Sequence, residues 1–486
     1  MSLSGALSNA LSGLTANSRS AGLVASNIAN ATTESYGRRT LDLSSRTLGN
    51  SGGVRIDGVT RNVDTAVLAD RRLSDAQSGF ADEMQGFASR IETLLGPSDT
   101  AGSLVGRYAA FETAVLSAAA DPSSDQRLKL VAQRAEDFTT MLNQISGEIQ
   151  QARSDADRSI GAQVDRLNTA LGRVSELNAA ISDSLLRGGD PASLMDQRQR
   201  VIDDVSDIVP LRSVARENGA VALYAASGTV LLDPAFHSDP VEIRFTPQDP
   251  VTADLSIGGG TLSGLEINGK PINSSNDGAL GGGTLGAQFQ IRDVVAPDMQ
   301  AAIDGIARDL IERFAPGGPD STLGATDPGL FTDAGAAFDP MDETGLAGRI
   351  ALNALVDPAG SGTWRLRDGL GAAVQGPVGE ARLLQGYSDA LGALMTPGSA
   401  ALGSGAQSFA QHVADFHAGI AAARLRADGE QSFSSAQNTA LKELELSKGV
   451  DTDAELQALL RIEQQYAANA RVITTVDELM QTLMNI

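Results

Sequence analysis

Cysteine is absent from this 486-residue chain, so disulfides, thiolate nucleophiles and sulfur-bound metals are excluded. Histidine occurs only 3 times and tryptophan once, and aromatic residues make up 4% of the sequence. Such a chain packs helices closely but has few large anchors for one compact core. No apolar run reaches membrane-spanning length. Met1 to Ile28 has neither a basic n-region nor a continuous apolar stretch, so no cleaved Sec-type signal is expected there. Basic residues are outnumbered 37 to 60, for a net charge of −23. That balance argues against nucleic acid and against an anionic membrane surface, which both need a positive footprint.

The length allows about two to four domains. From the first residues onward, apolar or small side chains recur at alternating spacings of four and three: Leu3, Leu7, Ala10, Leu14, Asn17, Ala21, Val24, Ile28. This is a coiled-coil seam with one polar member, Asn17. The far end repeats it with Leu459, Ile462, Tyr466, Asn469, Ile473, Val476, Met480 and Leu483, where Asn469 is the polar position. Thr452 and Glu455, at capping-box spacing after Gly449, are expected to open that last helix. Two matched amphipathic ends that pair with each other make the middle of the chain an insertion between them. Both seams are candidate assembly surfaces, with Asn17 and Asn469 setting register or simply tolerated as exposed amides.

Further heptad stripes run from Leu73 to Leu94 and from Leu104 to Ala118. Asp121-Pro122 then offers an N-cap and a first-turn proline. Val131, Ala135, Phe138, Leu142, Ile145 and Ile149 begin a stripe that continues to Leu185. Unbroken from Ser123 to Leu186, this helix would span about 95 Å at about 1.5 Å per residue. Asp190-Pro191 caps another helix running to Ile208. The period then changes to two at Val221, Leu223, Val241, Ile243 and Phe245, and Asn268-Gly269 marks a hairpin turn. The expected fold is mainly α with a β insertion: an elongated multi-domain chain, its terminal helices paired as a coiled coil around a long-helix shaft.

The expected organisation is a terminal helical domain at 1–48, a bundle shaft at 49–209 and an inserted β domain at 210–285, projecting outward. A return helix follows at 286–318, then a Gly/Pro-rich irregular or weakly β segment at 319–382. Helical shaft at 383–435 leads into the C-terminal assembly domain at 436–486.

Catalytic, cofactor and metal-binding residues are not expected. His412 and His417 are five apart and so fall on different helix faces, and His237 sits in a Pro/Asp loop. Gly281 to Gly286 matches GxGxxG, but the polar run Asn273–Gly278 precedes it where a dinucleotide fold needs a buried strand. A turn is the better reading. Asp203-Asp204 reads as a solvated helix flank.

Asn27-Ile28-Ala29-Asn30 with Ser35-Tyr36-Gly37-Arg38 resembles the N-terminal signature of the flagellar axial proteins, the rod, hook and hook-associated subunits. Glu463 to Ala470, through Val476-Asp477 to Leu483-Met484-Asn485-Ile486, resembles their C-terminal signature. Three internal segments are similar to the hook-associated protein 1 family in particular: Gly53 to Arg61, Leu194-Met195-Asp196-Gln197-Arg198, and Gly282-Gly283-Thr284-Leu285-Gly286 with Arg292-Asp293. Ser35 stands where that pattern has glycine.

The resemblance implies a structural, non-enzymatic subunit exported unfolded through the flagellar type III apparatus to the extracellular hook–filament junction. Implied partners are the hook protein, hook-associated protein 3, further copies of the chain in a ring or helical layer, and a cytoplasmic chaperone on the C-terminal segment. Two alternatives stay open: another axial subunit such as the hook protein, and a cofactor-binding enzyme with coiled-coil arms.

Overall fold

The computed structural model describes residues 3–46, 52–237 and 239–485. The 48/49 boundary and Ile486 of the C-terminal signature lie outside them.

Helix α1 (Leu3–Ala29) leads into strands β1 (Arg38–Ser45) and β2 (Val54–Asn62), an antiparallel hairpin pairing Arg38 with Asn62. No hairpin was expected here: residues 38–48 fell in the terminal helical domain and 49–62 in the bundle shaft. Apolar residues are too few on both strands for a clear period-two signal, because neither face is deeply buried.

The body begins with α2 (Thr65–Leu95), whose N-cap Asp64 accepts from the Ala66 and Val67 amides. α3 (Leu104–Ala120) is capped by Ser103. α4 (Asp125–Leu186) runs unbroken for 62 residues. Its cap is Ser124, and Asp121 instead closes α3. α5 (Ala192–Asp203) starts on Asp190, which accepts from the Ala192 amide, and gives way to turns at Asp204 instead of reaching Ile208.

Strands β3 (Leu211–Ala215), β4 (Val221–Ala225) and β5 (Val230–Leu232) form one small antiparallel sheet. β6 (Ile243–Arg244), β7 (Glu266–Ile267) and β8 (Lys270–Pro271) form another. Asn268 and Gly269 make the β7–β8 turn at φ 51° and 72°, the left-handed values a tight hairpin requires. α6 (Gly283–Gln290), a π-helical turn (Ile291–Val295) and α7 (Ala296–Arg313) return along α4.

Between α7 and the last helices lie a two-stranded pairing of β9 (Phe331–Asp333) with β10 (Ile350–Leu352), and short α8 (Arg365–Asp368). α9 (Arg382–Gly392) follows, and residues 393–408 hold a 3-10 turn at Ala400–Leu402 but no α-helix. α10 (Phe409–Lys448) opens with a capping box of Ser408 and Gln411. Then α11 (Thr452–Met484) runs back along α1.

Two cores hold the body. The larger joins α3, the first half of α4, α7, α9 and the start of α10. It gathers many of the scarce aromatics: Tyr108 meets Phe138 and Phe409, and Phe314 meets Phe331 and Tyr387. The smaller packs Ile160, Val164, Leu167 and Leu171 of α4 against Ile208, Leu223, Leu232 and Phe289. The β segment is therefore one wall of a core. This overturns the expectation of a projection carried on the outside of the shaft. The reason is the continued apolar stripe on α4 beyond Ala156, which needs cover along its whole length.

Candidate functional site

The two chain ends form one antiparallel helix pair. Asn27 of α1 reaches Glu455 of α11, while a Cβ placed on Gly13 would lie 2.7 Å from the Asn469 amide nitrogen. These two approaches fix the register. Ala10, Asn17 and Val24 of the N-terminal seam are buried; Leu3, Leu14, Ala21 and Ile28 are half-buried; Leu7 is exposed. In the C-terminal seam Val476 is buried, Leu459, Ile462, Asn469 and Ile473 are half-buried, and Tyr466, Met480 and Leu483 are exposed. Asn17 Nδ2 finds no hydrogen-bond partner among the described residues. The pair also exposes Leu11 and Leu460, each 59%, and Met484, 82%. These apolar side chains lie outside both cores.

The inner end of the pair is closed by polar chemistry. Asn27 is fully buried: Oδ1 accepts from Tyr36 Oη and the Arg39 amide, and Nδ2 donates to the Arg39 carbonyl and Glu455 Oε2. Arg38 Nε donates to Glu455 Oε1 at 2.6 Å. Glu455 is thus spent on α1 and the hairpin. Asp451, not Thr452, caps α11 by accepting from the Asp453 and Ala454 amides. Ser35 sits at φ 62°, taking the left-handed conformation for which glycine is the usual residue. Its hydroxyl donates to Asp203 Oδ2.

α5 ties this end to the body. Asp196 accepts from the Gly37 amide at 3.1 Å, Arg39 Nη2 at 2.6 Å and Arg61 Nε at 2.6 Å. Arg198 donates to Asn178 Oδ1 and the Gly219 carbonyl. Burial, with Arg61 and Arg72 nearby, pulls its guanidinium down to about 10. Asp203 binds Arg71 and Arg72 at 2.5 and 2.7 Å, and Arg71 also meets Asp75 and Glu445. Asp203 is therefore the centre of a charge network, and not the solvated flank its sequence suggests. Asp204 is the exposed member of the two.

The glycine-rich segment opens α6 with no strand immediately before it. Gly283, at φ 63°, lies so close to the Ile208 carbonyl that a Cβ would be 2.3 Å from its oxygen, and the Thr284 amide donates to the Asp207 carbonyl. Its glycines serve close packing against the end of the α5 segment. Arg292 and Asp157 form a 2.5 Å ion pair with both side chains at 0% exposure. Arg153 Nε donates to the Arg292 carbonyl beside it. His412 is buried against Asp309, and His417 Nε2 donates to the Gly96 carbonyl at the end of α2. Among the described residues no three His, Asp or Glu side chains converge as a metal site, and no helix is long and apolar enough to cross a membrane.

Residues 88–315 match the model of the flagellar hook-associated protein FlgK helical domain, and residues 446–486 match that of the flagellar basal body rod FlgEFG protein C-terminal domain. Flagellar hook-associated protein 1 of Bacillus subtilis (strain 168) is 23% identical over 513 residues, covering 99% of this chain and 97% of that protein. Along its whole length the chain is similar to flagellar hook-associated protein 1. The Escherichia coli (strain K12) member is 26% identical over 293 residues, 58% of this chain and 52% of that protein. The solved structure of the flagellar hook junction protein FlgK from Burkholderia pseudomallei aligns with 14% identity and a TM-score of 0.44, covering 54% of this chain and 46% of that one. The first family segment takes in the LMDQR and GGTLG–RD motifs, where Asp196 and Arg292 hold the helices together. The second takes in all of α11.

Proposed function

We propose that the chain is a structural subunit of the bacterial flagellum, placed at the hook–filament junction after export from the cell. The observation that carries this reading is the pairing of the two chain ends into one helix pair. It is locked at the Asn27–Glu455–Arg38 end and bears uncovered leucines elsewhere. A helix pair with so thin an interior is marginal alone, because helix stability comes mainly from packing an apolar face. Docking against neighbouring subunits covers the outer leucines and completes the order of the open end, which couples folding to binding. The neighbours in this reading are hook protein on one side, hook-associated protein 3 on the other, and further copies of the chain around the axis. Before export the same C-terminal helix is the segment a cytoplasmic chaperone would cover. Its role is assembly and not catalysis, since the clustered charges are used up in joining helices.

The test is genetic. Deletion of the gene is expected to leave hooks without filaments, with flagellin in the medium, and re-expression of the chain should restore filaments. Normal filaments on the deletion strain would overturn the reading.

A further inference from the structure

A trough of about 890 Å³ lies between α2, α7 and α10, walled by Phe80, Met84, Met299, Phe416 and Ile420. Two buried polar atoms on this trough have no hydrogen-bond partner among the described residues: His412 Nε2 and Ser434 Oγ. The His412 ring is fixed by its other nitrogen, 2.9 Å from Asp309 Oδ2. Its Nε2 is left without a partner among the described residues. Buried polar atoms left this way are costly, so the trough is unfinished within one chain.

The opposite side of α10 is of another kind. Ala414, Ala418, Ala422, Leu425, Gly429, Ser432 and Ala436 make an exposed, uncharged stripe at spacings of four and three, from which Leu425 stands out at 70% exposure. Leu425 is nine residues from Phe416, hence about 180° around the helix. The trough follows α10 from His412 to Ser434 and the stripe from Ala414 to Ala436, so the two surfaces stand at the same height on opposite faces.

We propose that the trough is a socket for the small-residue stripe of α10 on a second copy of this chain. The contact is head to tail, the arrangement that builds rings and helical layers. Leu425 enters between the walls, and Ser432, at the level of Ser434, brings a hydroxyl to that end of the trough. A stripe of this length, on a helix about 10 Å wide, covers roughly 300–400 Å² per partner. That is below the ~1,200 Å² total of a free-standing complex. The subunit therefore stays monomeric until the terminal helices bring copies together. The proposal rests on the assembly role and specifies its lateral surface.

Because the chain has no cysteine, paired thiols report this contact cleanly. Ala302→Cys lines the trough and Ala422→Cys lies on the stripe. With a short bis-maleimide, flagella from cells carrying the double variant should give a ladder of dimers, trimers and higher rungs. The purified double variant at micromolar concentration should stay monomeric. Leu425→Glu, at a surface position, should leave the purified protein's melt unchanged and reduce the number of filaments. Restored filaments on the deletion strain secure the assembly role separately. No ladder from such filament-bearing cells would overturn the socket alone. Dimers from Ala422→Cys alone would mean that stripe meets stripe, and would overturn it too.

Discussion

Asp196 offers the most direct way to separate the terminal unit from the body. Its carboxylate is 7% exposed and takes three donors, two of them the guanidiniums of Arg39 and Arg61, at 17% and 13% side-chain exposure. Asp196→Ala leaves two half-buried cations facing one another with no counter-ion. Arg61 keeps Gln199 and the Ser35 carbonyl, while Arg39 loses its acceptor. Breaking a buried pair on one side costs about 3–5 kcal/mol, and about 1.4 kcal/mol is a factor of ten. Local opening of the hairpin should become about 100- to 4,000-fold more frequent.

Hydrogen exchange on the purified full chain reads this directly. Amides of β1 and β2 should lose about two to three and a half orders of magnitude of protection, on the order of that free energy, while those of α4 in the larger core keep theirs. Asp204→Ala, at the exposed residue that follows α5, is the control and should change little. Unchanged hairpin protection in Asp196→Ala would show that apolar packing and not this ion cluster holds the joint. Equal loss in α4 would show that the joint is part of the body's cooperative unit.

Ile473→Asp puts a carboxylate in the C-terminal seam, where burial without a partner costs several kcal/mol once neighbours dock. The body's melt should be unchanged and hooks bare by electron microscopy, so normal filaments would refute the seam as an interface. Arg292→Met leaves Asp157 buried and unpaired, and should cost about 3–5 kcal/mol in urea unfolding. Arg292→Met with Asp157→Leu should recover most of it. Replacing residues 211–280 by a short linker strips Ile160, Val164 and Leu167 of cover, so the product should aggregate, as judged by gel filtration. Burial outweighs three hydrogen bonds at Asp304 and holds its carboxyl at about 6 against an ordinary 3.8. The folded state then binds this proton more tightly, so the stabilisation is full at low pH and lost as pH rises through about 6. Urea midpoints should show the wild type losing ground to Asp304→Asn between about pH 4 and about pH 6, with no further change above.

Periodicity made the helices legible because each long stripe is buried against a partner along its length. The α4 stripe runs from Val131 to Ile181, nearly as far as the helix itself. Helix ends were less legible where two polar residues competed for one cap. Asp121 against Ser124, and Thr452 against Asp451, were decided by which side chain faced the open amides. The β1–β2 hairpin was hidden for a different reason. Its strands are held by their ends, through Arg38, Arg39 and Arg61, more than by an apolar face, so hydrophobic alternation is limited to one step in each strand, Leu41 to Leu43 and Val54 to Ile56.

The same argument explains why the candidate surface was half visible. A seam is a pattern within one helix, and Leu3 to Ile28 display it in sequence order. A joint is a meeting of distant residues. Asp196 collects Gly37, Arg39 and Arg61 across more than 130 positions, and Glu455 reaches Asn27 across 428. Each of those residues alone looks like an ordinary surface charge. Ser35 shows how such a joint tolerates change. The left-handed turn that glycine would take without strain is kept by serine at φ 62°, because the hydroxyl gains Asp203 as an acceptor. A hydrogen bond to a carboxylate, about 1.5–3 kcal/mol, is enough to offset the roughly 1–3 kcal/mol of left-handed strain. What the joint needs is the geometry of the turn between Asn30 and Tyr36. Ser35→Gly should therefore keep the hairpin in place, whereas Ser35→Val, which has the strain without the hydroxyl, should loosen it as Asp196→Ala does.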